Sequence, residues 1–341
     1  MILVTGALGY IGSHIAVELA SSSNEELLLI DCSCHESEHT LDVIQTLSQK
    51  PCAFVQLDLR SEKDLKQLFE SYPQIDIVVH CAAKKSVFES IKEPLTYYDH
   101  NLVGSFHLLN AMQKANVHQL IFSSTAAIYA DAGAVAYNET MPLAFHTTYG
   151  NTKLMFEIML SDYCKANPNF SAISLRYFNV TGAHPSGLLG ELLNKSSGNL
   201  FPEILKATLG QIDHLTIYGN DYPTADGTAI RDYIHVMDIA QGHIDAIQYL
   251  KHQPCFQQIN LGRGQGYSVL EVVNAFEKET GIAIPYEFKP RRTGDLCSVV
   301  ADTKKAKILP WSAKYDIEKM VEDAWRYAQL TTQEQKKMAP R

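Results

Sequence analysis

Through the first half of the chain, apolar residues fall in short blocks separated by stretches of helical periodicity. M-I-L-V-T at 1–5, L-L-L-I at 27–30, A-F-V-Q-L at 53–57, I-D-I-V-V-H at 75–80, Q-L-I-F-S-S-T at 119–125 and A-I-S-L-R at 172–176 are too short for helices. Their β-branched and aliphatic content reads as strands buried on both faces. A helix from Ser13, one from Ser61 to Phe69, a long one opened by Pro94 and another from Tyr149 to about Lys165 fall between them. The Pro94 helix carries Leu95, Leu102, Phe106, Leu109 and Met112 as its apolar positions. The polar run C-S-C-H-E-S-E-H after Asp31 reads as a loop. Strand and helix alternating in this way specify an α/β chain with a doubly wound parallel sheet.

The pattern changes after Asn179, where Gly, Pro and Asn dominate, as in H-P-S-G at 184–187 and G-N-D-Y-P at 219–223. A short strand at 215–218 and shorter helices suit a smaller mixed α/β lobe that captures a substrate. The expected division is 1–178, with a return to the sheet near 236–262, as the nucleotide-binding domain, and 179–235 with 263–341 as the lobe.

The first block runs into Gly6-Ala7-Leu8-Gly9-Tyr10-Ile11-Gly12 and then a helix. Glycines at this spacing permit a tight turn, close approach to a pyrophosphate and tight packing of the next helix, whose N-terminal N–H groups aim at the phosphates. Asp31 closes the second strand, where a carboxylate accepts both ribose hydroxyls and repels a 2′-phosphate, so NAD is expected over NADP. The small residues Cys81-Ala82-Ala83 after the fourth strand leave room for a cofactor or for close helix packing.

Composition narrows the partners. With 341 residues, 46% hydrophobic and 20% charged, the chain is an ordinary globular one, and its net charge of -9 gives no footprint for nucleic acid or an anionic membrane. Any anionic ligand must be met by individually placed arginines. No apolar run approaches a membrane span, and the first residues already form the nucleotide strand, so neither membrane nor signal peptide is expected. Seven cysteines without paired spacing, Cys32 and Cys34 included, read as reduced cytoplasmic thiols, and no metal site is expected.

Tyr149 and Lys153 stand at i and i+4 on one helix face. The spacing alone says little, since Tyr315 and Lys319 repeat it and read as a surface pair. Position separates them: Tyr149 and Lys153 follow five strands and lie downstream of Ser123-Ser124-Thr125. In these residues the chain resembles the extended short-chain dehydrogenase/reductase family, a Rossmann-type fold, and within it the branch that inverts C4 of UDP-hexoses. The resemblance rests on TG-x-x-GYIGSH at 5–14, ES-x-x-x-PL-x-YYD at 89–99, FSS-T at 122–125, YG-x-x-K at 149–153 and RYFN at 176–179. It continues through GAHPSG at 182–187, GNDYPT-x-DGT at 219–228, RDYIHVMD at 231–238 and PRR-x-GDL at 290–296.

The resemblance implies interconversion of UDP-glucose and UDP-galactose through a transient 4-keto sugar, with NAD restored at each turnover. Tyr149 would take the 4-hydroxyl proton, Lys153 and the positive nicotinamide ring would lower its pKa, and Thr125 would bond the same oxygen. Gly6, Gly9, Tyr10, Ile11, Gly12, Asp31, Asp58, Leu59, Cys81, Ala82, Ala83, Lys85, Asn101, Tyr149, Lys153 and Tyr177 would hold NAD. Arg231 and Arg292 would grip the diphosphate beside Asn179, Asn199 and Leu200, while Thr216, Tyr218 and Asp295 would meet the uridine. A homodimer packed through the helices near 95–113 and 149–165 is implied as well.

Cys32, His100 and the segment 189–197 depart from the family's pattern. Val299 stands where a bulky Tyr narrows the sugar pocket in some members, so N-acetylated UDP-hexoses are expected to enter. A nucleotide-sugar 4,6-dehydratase or UDP-glucuronate decarboxylase is the nearest alternative, although Ala126 and Ala127 occupy the places of the dehydratases' acid/base pair. A non-catalytic NAD-binding regulator is the other.

Overall fold

Ile2 and Val4 pack on one side of the first strand and Leu3 on the other, all at 0–1% exposure, because this strand lies in the middle of a sheet covered on both faces. The computed structural model describes residues 1–341 apart from 24, 33–36, 132, 134–135, 194–197, 254–255, 293 and 339–341. In chain order, the first half contains β1 (Ile2–Thr5), α1 (Tyr10–Ser22), β2 (Leu27–Asp31), α2 (Ser37–Ser48), β3 (Ala53–Gln56), α3 (Glu62–Ser71) and β4 (Ile77–His80). There follow α4 (Val87–Lys92), α5 (Pro94–Tyr97), a π-helical turn (Tyr98–Val103), α6 (Gly104–Lys114), β5 (Gln119–Thr125), a 3-10 turn (Ala126–Ile128), α7 (Thr148–Ala166) and β6 (Ser171–Tyr177).

The remainder contains β7 (Asn179–Thr181), α8 (Leu200–Thr208), β8 (Leu215–Tyr218), β9 (Ile230–His235), α9 (Val236–His252) and β10 (Phe256–Leu261). After these come β11 (Gly266–Ser268), α10 (Val269–Thr280), β12 (Tyr286–Lys289), β13 (Ser298–Val299), a 3-10 turn (Lys305–Ile308) and α11 (Ile317–Met338).

Among the described residues, seven strands form one parallel sheet in the order β3-β2-β1-β4-β5-β6-β10. This is the doubly wound arrangement that the alternation of elements predicts. Strand order reverses between β1 and β4, so a crevice opens there at the C-terminal edge. The face with α1, α2 and α9 is filled by Ile15, Ile44 and Ile247, the other by Leu65, Leu108 and Phe156. A separate apolar cluster joins α8, β8, α10 and α11 through Phe201, Ile217, Phe276 and Val321. Smaller sheets, β11-β9-β13 with β7 beside β9 and the pair β12-β8, stand next to it.

Three local expectations differ. The loop expected over 32–39 gives way to α2 at Ser37, with 33–36 outside the described residues. The helix opened by Pro94 widens into a π turn at Tyr98–Val103, a deviation that accompanies functional sites. It also buries only part of its apolar face: Leu109 and Met112 are covered, whereas Leu95 is 81% and Phe106 45% exposed.

Candidate active site

The crevice is lined first by the glycine turn. Gly6 sits at φ +64, and a Cβ there would meet the Ala82 backbone at 2.6 Å, so β1 and the end of β4 approach as closely as backbones can. A Cβ on Gly12 would lie 2.1 Å from the Gly6 carbonyl oxygen, which is why α1 can start directly on the turn. Gly9 caps α1 without a side-chain bond and the first turn holds no acidic residue, leaving that helix end suited to an anion. Asp31 closes β2 and accepts the Leu8 N–H at 3.1 Å, holding its carboxylate against the turn. A glycine cradle with an acid at the end of the second strand fits an adenine dinucleotide.

Thr125 ends β5, and its hydroxyl accepts the Ala127 N–H at 3.2 Å. Thr147 caps α7 by accepting the Gly150 N–H at 3.1 Å. A Cβ on Gly150 would stand 2.9 Å from the Ala127 carbonyl, so this glycine lets the first turn of α7 close onto the end of β5. That contact brings the Tyr149 phenol beside Thr125. One turn on, Lys153 is 4% exposed, donates to the Ser123 carbonyl at 2.8 Å and stands 4.7 Å above the Phe122 ring.

Burial is the first influence on both ionisable groups. Burial pushes the Tyr149 phenol up to about 12, and the neighbouring Thr125 hydroxyl opposes it. Burial also pushes Lys153 down to about 8, against the pull of Cys81 and Glu157. Desolvation governs both groups because the Lys153 ammonium is committed to a backbone carbonyl.

Asn101, in the π turn, binds the chain after β4 from both sides: its Oδ1 accepts the Lys84 N–H at 2.8 Å and its Nδ2 donates to the Lys84 carbonyl at 2.9 Å. The same Nδ2 reaches Thr152 at 3.2 Å, and Thr152 donates to the Tyr149 carbonyl at 2.8 Å. Asn101 therefore ties the cofactor-side loop to α7. Lys85 bonds Glu191 at 2.5 Å over the Tyr10 ring, and Tyr10 donates to the Gly182 carbonyl at 2.7 Å, so both reach from the glycine turn toward the lobe. Asp58 is gripped by Arg60, which also binds Asp99 at 2.7 Å; His100 sits among these charges. Leu59 is buried beside them, while Ala82 is half-buried and Ala83 exposed.

Of the uridine-side candidates, Thr216 and Tyr218 stand on β8, Arg231 on β9 and Val299 on β13 beside β9. Arg231 pairs with Asp295, and Arg292 lies 4.0 Å over the Tyr218 ring. Val299 is opposite Arg231 in the register of β13 with β9 and borders the cluster containing Tyr129 and Phe178. Asn179 opens β7, Asn199 caps α8 ahead of Leu200, and Thr216 stands on β8. The segment 189–197 is described only to 193. Sequence reasoning missed the pairings of Arg231 with Asp295 and Lys85 with Glu191, which are tertiary contacts without a local signal. Tyr315 and Lys319 are no surface pair: the Tyr315 ring packs at 4.4 Å on buried His235, and Lys319 bonds Glu322 and Asp323.

The family model described as "NAD dependent epimerase/dehydratase family" matches residues 2–262. The chain belongs to that family. It is 44% identical over 328 residues, 96% of each chain, to the UDP-glucose 4-epimerase of Neisseria meningitidis serogroup A. Among solved structures, a UDP-glucose-4-epimerase from Stenotrophomonas maltophila with bound NAD and formylated UDP-arabinopyranose superposes with a TM-score of 0.94 at 40% identity, covering 98% of this chain and 99% of that one. The UDP-Glc/GlcNAc 4-epimerase of Campylobacter jejuni does so at 0.84 and 37% identity, over 96% and 99%. Among the described residues no helix is long and apolar enough to cross a membrane, and no group of metal-binding side chains occurs.

Proposed function

We propose that the chain interconverts UDP-glucose and UDP-galactose by inverting C4 of the sugar. The observation that carries this reading is the Tyr149 phenol beside Thr125 at the C-terminal end of β5, with Lys153 one helical turn behind. NAD, when bound, supplies a reversible acceptor for the C4 hydrogen with its electron pair, and a positive ring charge. Tyr149 holds and returns the proton of the sugar 4-hydroxyl, and Thr125 orients that oxygen. Lys153 keeps positive charge near the phenol and stays fixed by the Ser123 carbonyl.

Gly6, Gly9, Tyr10, Ile11 and Gly12 form the diphosphate turn and Asp31 takes the adenosine ribose. Asp58 and Leu59 flank the adenine, and Cys81, Ala82, Ala83, Lys85, Asn101 and Tyr177 surround the nicotinamide half. Arg231 and Arg292 meet the diphosphate with Asn179, Asn199 and Leu200. Thr216, Tyr218 and Asp295 hold the uridine, and Val299 borders the sugar. Ala126 and Ala127 carry no proton, which favours epimerisation over elimination of water. Val299 leaves room for an N-acetyl group, so UDP-GlcNAc and UDP-GalNAc are included as substrates; the Campylobacter relative's name gives UDP-Glc and UDP-GlcNAc for that protein.

Two chains are inferred to associate through the apolar stripe of Phe88, Ile91, Leu95, Phe106 and Ile158, all between 45% and 81% exposed. The thiols of Cys32, Cys52, Cys81 and Cys297 are unbridged, which favours a cytoplasmic setting. Incubation of the purified protein with UDP-galactose, read by NMR, tests the reaction. UDP-glucose should appear, and Tyr149→Phe should slow it by roughly 10²–10⁴-fold. Undiminished turnover in Tyr149→Phe, or none in the parent chain, overturns the reading.

A further inference from the structure

Near Lys153 a chain of side chains, buried except for half-buried Cys81, runs from the residue after β4 through β5 and β6 to α9. Cys81 Sγ and Ser123 Oγ lie 3.1 Å apart, Ser123 Oγ and Tyr177 Oη 2.9 Å, and Tyr177 Oη and His243 Nε2 2.6 Å. The other ring nitrogen, His243 Nδ1, is 2.9 Å from the Ile239 carbonyl. Ser123, Tyr177 and His243 are 6%, 6% and 0% exposed.

Thiol and hydroxyls can each donate or accept, so the direction of this chain is set at its end. A carbonyl oxygen only accepts. Nδ1 therefore carries the imidazole proton toward Ile239, and burial, which pushes His243 down to about 4, keeps Nε2 bare. Tyr177 must then donate to Nε2, which leaves its oxygen to accept from the Ser123 hydroxyl. Ser123 in turn is left to accept from the Cys81 thiol.

We propose that His243 is a positioning residue that fixes this direction and so keeps Cys81 a protonated donor beside Lys153. If the chain ran the other way, the Ser123 O–H would point at Cys81 and stabilise a thiolate. Such a thiolate would pair with the Lys153 ammonium and draw its charge from Tyr149. As arranged, burial pushes the Cys81 thiol up and the Ser123 hydroxyl gives no support to a thiolate that would compete for Lys153. The groups facing Cys81 are Ser123 and Lys153, and Tyr149 and Cys81 both bear on Tyr177. The role rests on the proposed function of Lys153; the direction of the chain does not.

The test is iodoacetamide alkylation of the full-length protein across a pH series, with Cys81 followed by peptide mass spectrometry. Tyr177→Phe and His243→Leu each free the Ser123 hydroxyl to turn toward sulfur. Each should lower the apparent thiol pKa by about one unit, giving roughly tenfold faster alkylation near pH 8. His243→Gln presents an acceptor where Nε2 was and should stay close to the parent profile. Adding Ser123→Ala should cancel the shift, which a merely loosened pocket would not allow. An unchanged pKa in both Tyr177→Phe and His243→Leu, or a shift that survives Ser123→Ala, overturns the proposal. The expected alkylation pattern in a protein that does not epimerise UDP-galactose would overturn the assigned role of Lys153 and leave the direction of the chain standing.

Discussion

Arg176 lays its guanidinium along the Glu157 carboxylate, with Nη2 to Oε2 at 2.6 Å and Nε to Oε1 at 3.1 Å, and both side chains are only 2–3% exposed. Glu157 also accepts the Ser124 hydroxyl at 2.5 Å, and Arg176 donates to Tyr129 at 3.0 Å. One ion pair thus ties β5, β6 and α7 together directly behind Thr125 and Tyr149. Its remaining hydrogen-bonding capacity is used by neighbours, which is what makes a buried pair tolerable.

Removing one partner strands the other charge. Arg176→Met should cost about 3–5 kcal/mol, read as a lowered midpoint in urea, whereas Arg176→Met with Glu157→Leu should recover a large part of it. A single variant within about 1 kcal/mol of the parent would show that the pair contributes little to holding α7 in place.

The sheet was legible because its strands are uniform apolar blocks and their order follows from right-handed crossovers; β5 and β8 begin and end at the expected residues. The 37–48 helix was not, although Leu41, Ile44 and Leu47 give it an apolar face, because the acidic, histidine-rich run before it dominates the reading. Within the site, residues in local motifs could be found: the glycine turn, Asp31, and the Thr125, Tyr149 and Lys153 group. What stayed hidden depends on partners far away in the chain. Asn101 clamping Lys84 to Thr152, and Lys85 meeting Glu191, have no periodicity to betray them. The ordering of electrostatic effects was hidden for the same reason, since burial of Tyr149 and Lys153 is set by the whole fold.

Lys153 supplies a pH limb. Its folded pKa is about 8, below the ordinary 10.5, so the ammonium that supports Tyr149 is present below about pH 8 and lost above it. Epimerisation rate at low substrate should therefore fall as pH rises through roughly 8. Stability runs the other way: between the folded and unfolded pKa values the unfolded chain holds the extra proton, so this group's contribution becomes less unfavourable as pH rises. In Lys153→Arg, whose guanidinium does not titrate there, the falling limb should vanish even if the rate is lower throughout. A parent profile flat to pH 10 would contradict this.

The exposed stripe on α4, α5, α6 and α7 makes a sharp test of association. Leu95 is 81% and Phe106 45% exposed, and each leucine- or phenylalanine-sized side chain buried at an interface contributes about 1.5–3 kcal/mol. A chain carrying Leu95→Glu and Phe106→Glu should elute as a monomer in light-scattering chromatography at concentrations where the parent is dimeric. Because both positions face outward, its thermal midpoint in dilute solution should move little. Two species of equal mass would remove the stripe from the interface.

Val299 is the position where volume alone should change the substrate range. It lies on β13 opposite Arg231 and borders the cluster of Ala126, Tyr129 and Phe178, close behind Thr125. A tyrosine ring in its place would fill space that an N-acetyl group needs while leaving the simple hexoses their room. Val299→Tyr should lower kcat/KM for UDP-GlcNAc by about tenfold or more and that for UDP-galactose by much less, since steric exclusion acts on the larger substituent only. Equal losses on both sugars would mean that the substitution disturbs β9 and Arg231 rather than the pocket wall. A parent chain inactive on UDP-GlcNAc but active on UDP-galactose would show that something other than residue 299 limits the pocket.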